Sequence, residues 1–294
     1  MAALDLDVFR SKQFVFIIGE VQAEFTVHAA IVAKQSKALD ALINGSMKEA
    51  FARKAVFEDI EEDTFIRFCQ FAYTGDYTTP DFIHIPAVEL PDIAPPAILD
   101  DTDHDEPVGD VPVVEEPVVE VQDDFGLGTA AQRPKKLKKP SKSSRLRQSL
   151  HDRLYDTETT RTLSAARCGV RQNSDPSEDY TTVFLGHAQL YVFAEKWGIK
   201  SLKTLTLFKL HRTLTTFTLY EARRPDIVEL LRHAFSNAHT PDLVDDVDDL
   251  RSLVMLYTAC EVESLMRCPE FLLLIGEGGQ LAQDLVQVLM QRIS

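Results

Sequence analysis

The spacing of apolar and polar positions changes character along the chain. Phe14 to Ile18 is a short, almost unbroken apolar run ended by Gly19, and Glu24-Phe25-Thr26-Val27-His28 alternates, with Phe25 and Val27 on one face. Together they predict a β-hairpin. Ala29 to Ala33 and Lys37 to Ile43 have the spacing of short helices, the second closing at Asn44-Gly45. Ala55-Val56-Phe57 reads as a further strand. Glu61 to Tyr73 opens on acidic residues that favour a helix N-terminus, sets Phe65, Phe68, Cys69 and Ala72 on one side, and stops at Gly75.

Past residue 180 the pattern is helical. His187 to Trp197 puts Leu190, Tyr191, Ala194 and Trp197 in one stripe before Gly198, and Ser201 is placed to cap a helix carrying Leu202, Leu205 and Phe208. Pro225 occupies a first-turn position ahead of Ile227, Leu230, Leu231, Ala234 and Phe235. Two more amphipathic helices are predicted, from Asp248 to Met266 and around Leu281, Leu285, Val288 and Leu289.

Between these regions the periodicity fails. Pro86 to Asp124 is rich in Pro, Val, Asp and Glu without a single Lys or Arg, too poor in buriable area to offset ordering. Arg133 to Arg153 then turns strongly basic, and polar residues continue to Asp179. Residues 86–179 are therefore expected to be disordered, acidic first and basic after. So long a structureless stretch is uncommon inside a domain, which by itself suggests a domain boundary.

Composition narrows the classes. In 294 residues, 45% hydrophobic and 26% charged, there is material for one or two compact cores. No apolar run approaches the roughly 20 residues that cross a bilayer, and the opening MAALDLDVFRSKQ lacks the basic and apolar regions of a secretory leader, so a soluble intracellular protein is expected. Cys69, Cys168, Cys260 and Cys268 form no CxxC and have no histidine at ligand spacing, so reduced thiols are expected, with no disulfide framework, metal or cofactor. Asn44-Gly45-Ser46 is read as a turn rather than a glycosylation acceptor. His28, at a strand-to-helix junction, is read as a hydrogen-bonded structural residue because no Ser or Cys nucleophile motif accompanies it. Gly276-Glu277-Gly278-Gly279 lacks the preceding strand and the GK[ST] of a phosphate loop, and Asp245-Asp246 and Asp248-Asp249 sit ahead of a helix whose dipole they favour. No catalytic constellation emerges, so an enzyme is not expected.

The first segment resembles the BTB/POZ family. The resemblance is carried by the apolar strand, Phe25-Thr26-Val27-His28-Ala29-Ala30-Ile31-Val32-Ala33, Gln35-Ser36-Lys37-Ala38-Leu39, Met47-Lys48-Glu49, Glu58-Asp59-Ile60, and Phe65 through Phe71-Ala72-Tyr73-Thr74-Gly75. In that family a helical hairpin like His187-Ala188-Gln189-Leu190-Tyr191-Val192-Phe193-Ala194-Glu195-Lys196-Trp197-Gly198-Ile199, then Leu202-Lys203, usually follows after a short loop. The resemblance thus implies an α/β (α+β) fold, a small sheet flanked by helices: 1–85 as its first part, 86–179 as a disordered insertion, and 180–214 as the completing hairpin. Residues 215–294, with Pro225-Asp226-Ile227, Cys260-Glu261-Val262 and Pro269-Glu270-Phe271, are similar to the all-α extension of fungal BTB proteins.

What the resemblance implies is a non-enzymatic adaptor working by protein–protein contact. In cullin-binding BTB domains a hydrophobic-x-Glu triplet touches the ubiquitin ligase scaffold, and Met47 and Glu49 occupy the matching positions. No kelch repeat or MATH domain is present to recruit a substrate, which leaves the C-terminal helices or the insertion for that task. The alternative is a nuclear regulatory scaffold that oligomerises through the BTB-like domain, with Arg133, Lys135, Lys136, Lys138 and Lys139 as an import signal; nucleic acid is a weaker partner for that run because no aromatic interleaving accompanies it. Gln13 stands where dimeric transcription-factor relatives carry Asp, which argues against a strand-swapped dimer and leaves a homodimer through helix faces open. Localisation is expected to be nuclear, cytoplasmic or both.

Overall fold

Phe14, Phe16 and Ile18 project from one side of the first strand into a core that only another layer can close, and the rest of the fold supplies it. The computed structural model describes residues 8, 10–85, 142–155, 171–236 and 248–293. The chain is α+β. Strand β1 (Gln13–Ile18) pairs antiparallel with β2 (Ala23–His28) in the register Gln13↔His28 to Ile18↔Ala23, and parallel with β3 (Lys54–Phe57), giving the order β2-β1-β3. The hairpin turns through Gly19 and Gln22, both at positive φ, where glycine carries no Cβ penalty.

Helices α1 (Ala29–Ala33), α2 (Lys37–Asn44) and α3 (Lys48–Ala52) lead from β2 to β3. Ser36 caps α2 by accepting from the Leu39 backbone N–H. Helix α4 (Glu62–Thr74) ends at Gly75, whose φ of 78° is the left-handed stop that the sequence predicts. It lays Phe65 against Phe16 and Phe57, with the Phe16–Phe65 centroids 5.1 Å apart, and Phe68 against Phe65.

The stretch expected to be disordered is ordered in two places. Helix α5 (Lys142–His151) buries Leu150, and residues 171–180 run into β5 (Glu178–Asp179), which pairs with β4 (Ile83–His84). The cause at α5 is spacing that the basic composition hides: Leu146 and Leu150, one turn apart, pack on the C-terminal helices, Arg147 pairs with Glu261 at 2.8 Å, and His211 Nε2 donates to the Leu150 carbonyl at 2.6 Å. The acidic run 86–124 and residues 133–141 lie outside the described residues.

Helix α6 (Thr181–Lys196) begins a turn and a half before His187, and α7 (Lys200–Thr216) begins before Ser201, so Ser201 caps nothing. The reason is Ile199. Gly198, at φ 66°, turns the chain so that this side chain is fully buried, and α7 starts directly after it. Helices α8 (Arg224–Ala234), α9 (Asp249–Leu265), α10 (Pro269–Gly276) and α11 (Gly279–Ile293) follow. Pro225 lies in the first turn of α8, and Asp248 caps α9 by accepting from the Leu250 and Arg251 N–H groups.

Two hydrophobic cores result, and α6 belongs to both. Leu190, Phe193 and Ala194 join the sheet, α4 and the first half of α7, while Val183, Phe184, Ala188 and Tyr191 join the second half of α7 and the C-terminal helices. The described residues before 86 and after 140 form one compact unit.

Candidate functional site

The residues the sequence marks for partner contact sit on the short helix between α2 and β3. Met47 takes the N-cap position of α3 with extended backbone (φ −80°, ψ 161°), so its side chain leads into the helix from outside and is 53% exposed. Glu49 lies in the first turn, where a carboxylate favours the helix dipole, and is half-buried. Arg53, at φ 52°, is the left-handed residue that ends α3 and aims the chain into β3. The sequence reading missed Phe51, which is 80% exposed one turn beyond Met47 and makes the two an apolar pair at i, i+4 spacing. The spacing itself was the available signal.

The other candidate residues separate in space or in role. The Tyr73 hydroxyl accepts from the His28 backbone N–H at 3.1 Å and lies 2.9 Å from His28 Nδ1, tying the end of β2 to α4. Burial pushes the Cys69 thiol up to about 12, which leaves it a protonated apolar group rather than a nucleophile. Gly278 and Gly279, both at positive φ, turn the chain between α10 and α11. Arg133, Lys135, Lys136, Lys138 and Lys139, together with Cys168 and Asp245-Asp246, lie outside the described residues.

Two polar clusters that the sequence did not signal join distant parts of the chain. Just past α4, Asp76 meets Lys209 of α7 at 2.6 Å with both side chains buried, and the Lys209 ammonium stands 4.0 Å from the centre of the Tyr77 ring. The Tyr77 hydroxyl in turn lies 2.7 Å from His187 Nδ1. Desolvation first, then the positive charges of Lys209 and Arg67, hold His187 down at about 3, so the imidazole is neutral. In the second cluster Asp226 accepts from the Tyr180 backbone N–H at 2.9 Å and faces Arg223 at 3.7 Å. Burial outweighs these contacts and, helped by Asp179, raises Asp226 to about 7. Both clusters are closed to solvent, so their geometry suits joints rather than chemistry on a ligand.

A cavity of about 640 Å³ opens between α4, α6 and α8, lined by Asp59, Glu61, Thr64, Gln189, Glu195 and Lys196 among others. Its polar groups are already engaged: Gln189 donates to Glu61 at 2.7 Å, Lys196 pairs with Asp59, and Glu195 pairs with Lys203 outside the cavity at 2.7 Å. Among the described residues no three His, Cys, Asp or Glu side chains are placed to hold a metal ion, and no helix is long and apolar enough to cross a membrane. No family model and no curated protein matches the chain. The reading of the site therefore stands on the exposed Met47–Phe51 turn and its setting.

Proposed function

We propose that this chain is a BTB/POZ-type adaptor that binds a cullin-family ubiquitin ligase scaffold through Met47 and Glu49. The observation that carries the reading is the solvent-facing Met47 at the mouth of α3 with Glu49 one residue past Lys48, in the turn before β3. A flexible thioether supplies apolar contact area, and the neighbouring carboxylate fixes orientation by pairing with a basic group on the partner. The β2-β1-β3 sheet with α4 and the α6–α7 hairpin packed on one side is the arrangement such a domain needs to hold that turn rigid.

The test is binding of the purified chain to a purified cullin N-terminal region, wild type beside Met47→Glu with Glu49→Lys. The wild type is expected to bind and the double variant to lose binding at least tenfold; an unbound wild type sinks the reading.

A further inference from the structure

Strand β3 lies at the edge of the sheet, and its hydrogen bonds show which of its groups are open. The Val15 N–H donates to the Arg53 carbonyl and the Gly19 N–H to the Phe57 carbonyl, each at 2.9 Å, in the parallel register Val15↔Lys54 to Ile18↔Phe57. In a parallel ladder alternate residues bond to the same neighbour, so Ala55 and Phe57 face β1 while the N–H and C=O of Lys54 and Val56 point outward. Among the described residues no backbone partner meets them there. Val56 is 51% exposed, and Lys54, Glu58 and Asp59 are exposed around it.

The charges along this edge read Arg53-Lys54-Ala55-Val56-Phe57-Glu58-Asp59, positive before Val56 and negative after it. That order is self-complementary only when the strand meets a reversed copy of itself. We propose that β3 pairs antiparallel with β3 of a second copy of this chain, centred on Val56. Val56 then faces Val56 of the other copy as a hydrogen-bonded pair, using the N–H and C=O groups that point outward. Lys54 falls opposite Glu58 twice, once on each side, on the same sheet face as Val56. Parallel pairing in the same register would oppose like charges. Lys54 at present reaches Glu24 at 3.4 Å with both side chains well exposed, an arrangement weak enough to exchange, and Glu58 has no ion-pair partner among the described residues. Asp59 already pairs with Lys196, so the register rests on Lys54 and Glu58. A four-residue edge buries less than the roughly 800 Å² per partner of a standard interface, so the dimer is weak and salt-sensitive.

Sedimentation of the full chain over roughly a hundredfold range of concentration tests this. The wild type is expected to shift reversibly from monomer to dimer. Lys54→Glu and Glu58→Lys each turn two attractive pairs into repulsive ones and weaken association about tenfold. An equimolar mixture of these two variants, and the double variant alone, restore it, because both recreate opposite charges across the pair. Val56→Pro removes an outward N–H without touching the ladder to β1, so it abolishes the dimer while the melting temperature stays near that of the wild type. Met47→Glu with Glu49→Lys leaves association unchanged, which keeps this outcome separate from ligase-scaffold binding. A wild type that stays monomeric throughout, or a dimer indifferent to Val56→Pro and to the charge exchanges, overturns the proposal.

Discussion

The two cores on either side of α6 are built from different materials. The N-terminal one is aromatic: Phe14, Phe16, Phe57, Phe65, Phe68 and Phe193 interlock, and Phe57 stacks on Trp197 with centroids 4.9 Å apart. The C-terminal one is mostly aliphatic, with Leu230, Leu231, Leu250, Leu253, Val254 and Leu265 from successive helices. The polar joints differ as well. Lys209 and Asp76 join the first region to α7 as a charged pair beside a neutral His187, whereas the second holds a carboxyl, Asp226, that burial drives toward its protonated form. What the contrast teaches is that one helix couples two cores only because its opposite faces suit both, so damage to either should be felt by the whole.

The largest effects should come from the cores themselves. Phe68→Ala is expected to cost about 3–5 kcal/mol and Leu253→Ala about 2–5 kcal/mol, each lowering one shared calorimetric transition. Two separated transitions would show the cores to be independent. Next is Lys209→Met, which strands the buried Asp76 carboxylate and should cost about 3 kcal/mol or more; adding Asp76→Asn recovers part of it in the same melts.

The joints should also divide by pH. His187 is held below its ordinary 6.5, so the unfolded chain takes up its proton first and stability falls as pH drops from about 6.5 toward 3. Asp226 is raised from 3.8 to about 7, so the unfolded chain ionises first and stability falls as pH rises from about 4 to 7, then levels. In melting temperatures measured across this range, Asp226→Asn should flatten the loss that sets in as pH rises from about 4 to 7, and His187→Leu with Tyr77→Phe the loss that sets in as pH falls from about 6.5 toward 3; unchanged profiles would break the assignment. The smallest effect on stability belongs to Met47→Glu with Glu49→Lys, about 1 kcal/mol or less, because Met47 is exposed and Glu49 contributes only a first-turn interaction with the helix dipole.

Much of this was written in local spacing. The hairpin, α4 with its Gly75 stop, the Pro225 start of α8 and the Asp248 cap of α9 follow from short-range rules that depend on few neighbours. What local spacing could not reveal was pairing across distance. Lys209 sits on a helix face that looks like any other lysine position until Asp76 arrives from more than a hundred residues away, and Asp226 looks like an ordinary first-turn carboxylate until Tyr180 covers it. At α5 the failure ran the other way: Leu146 and Leu150 were visible, but a run of lysines, arginines and serines outweighed them. Of the candidate site, Met47 and Glu49 were legible; the spacing of Phe51 from Met47 was legible too, but not its exposure, which depends on what fails to pack against a residue.

The short β4–β5 pair has a consequence for the history and the engineering of the chain. Ile85 donates from its N–H to the Ser177 carbonyl at 2.8 Å, so the strands that lead into and out of the interruption are stitched side by side. A chain that departs and returns at one stitch can grow, shrink or be exchanged between those points without redirecting the strands and helices that flank them. The stitch makes 86–176 a socket, one that could receive a fluorescent reporter or a protease cassette, or be closed by a two-residue turn, at the cost, among the described residues, of the contacts of 142–155 and of 171–176, where Asn173 exchanges two hydrogen bonds with Thr218 and Arg171 lies over the Phe82 ring.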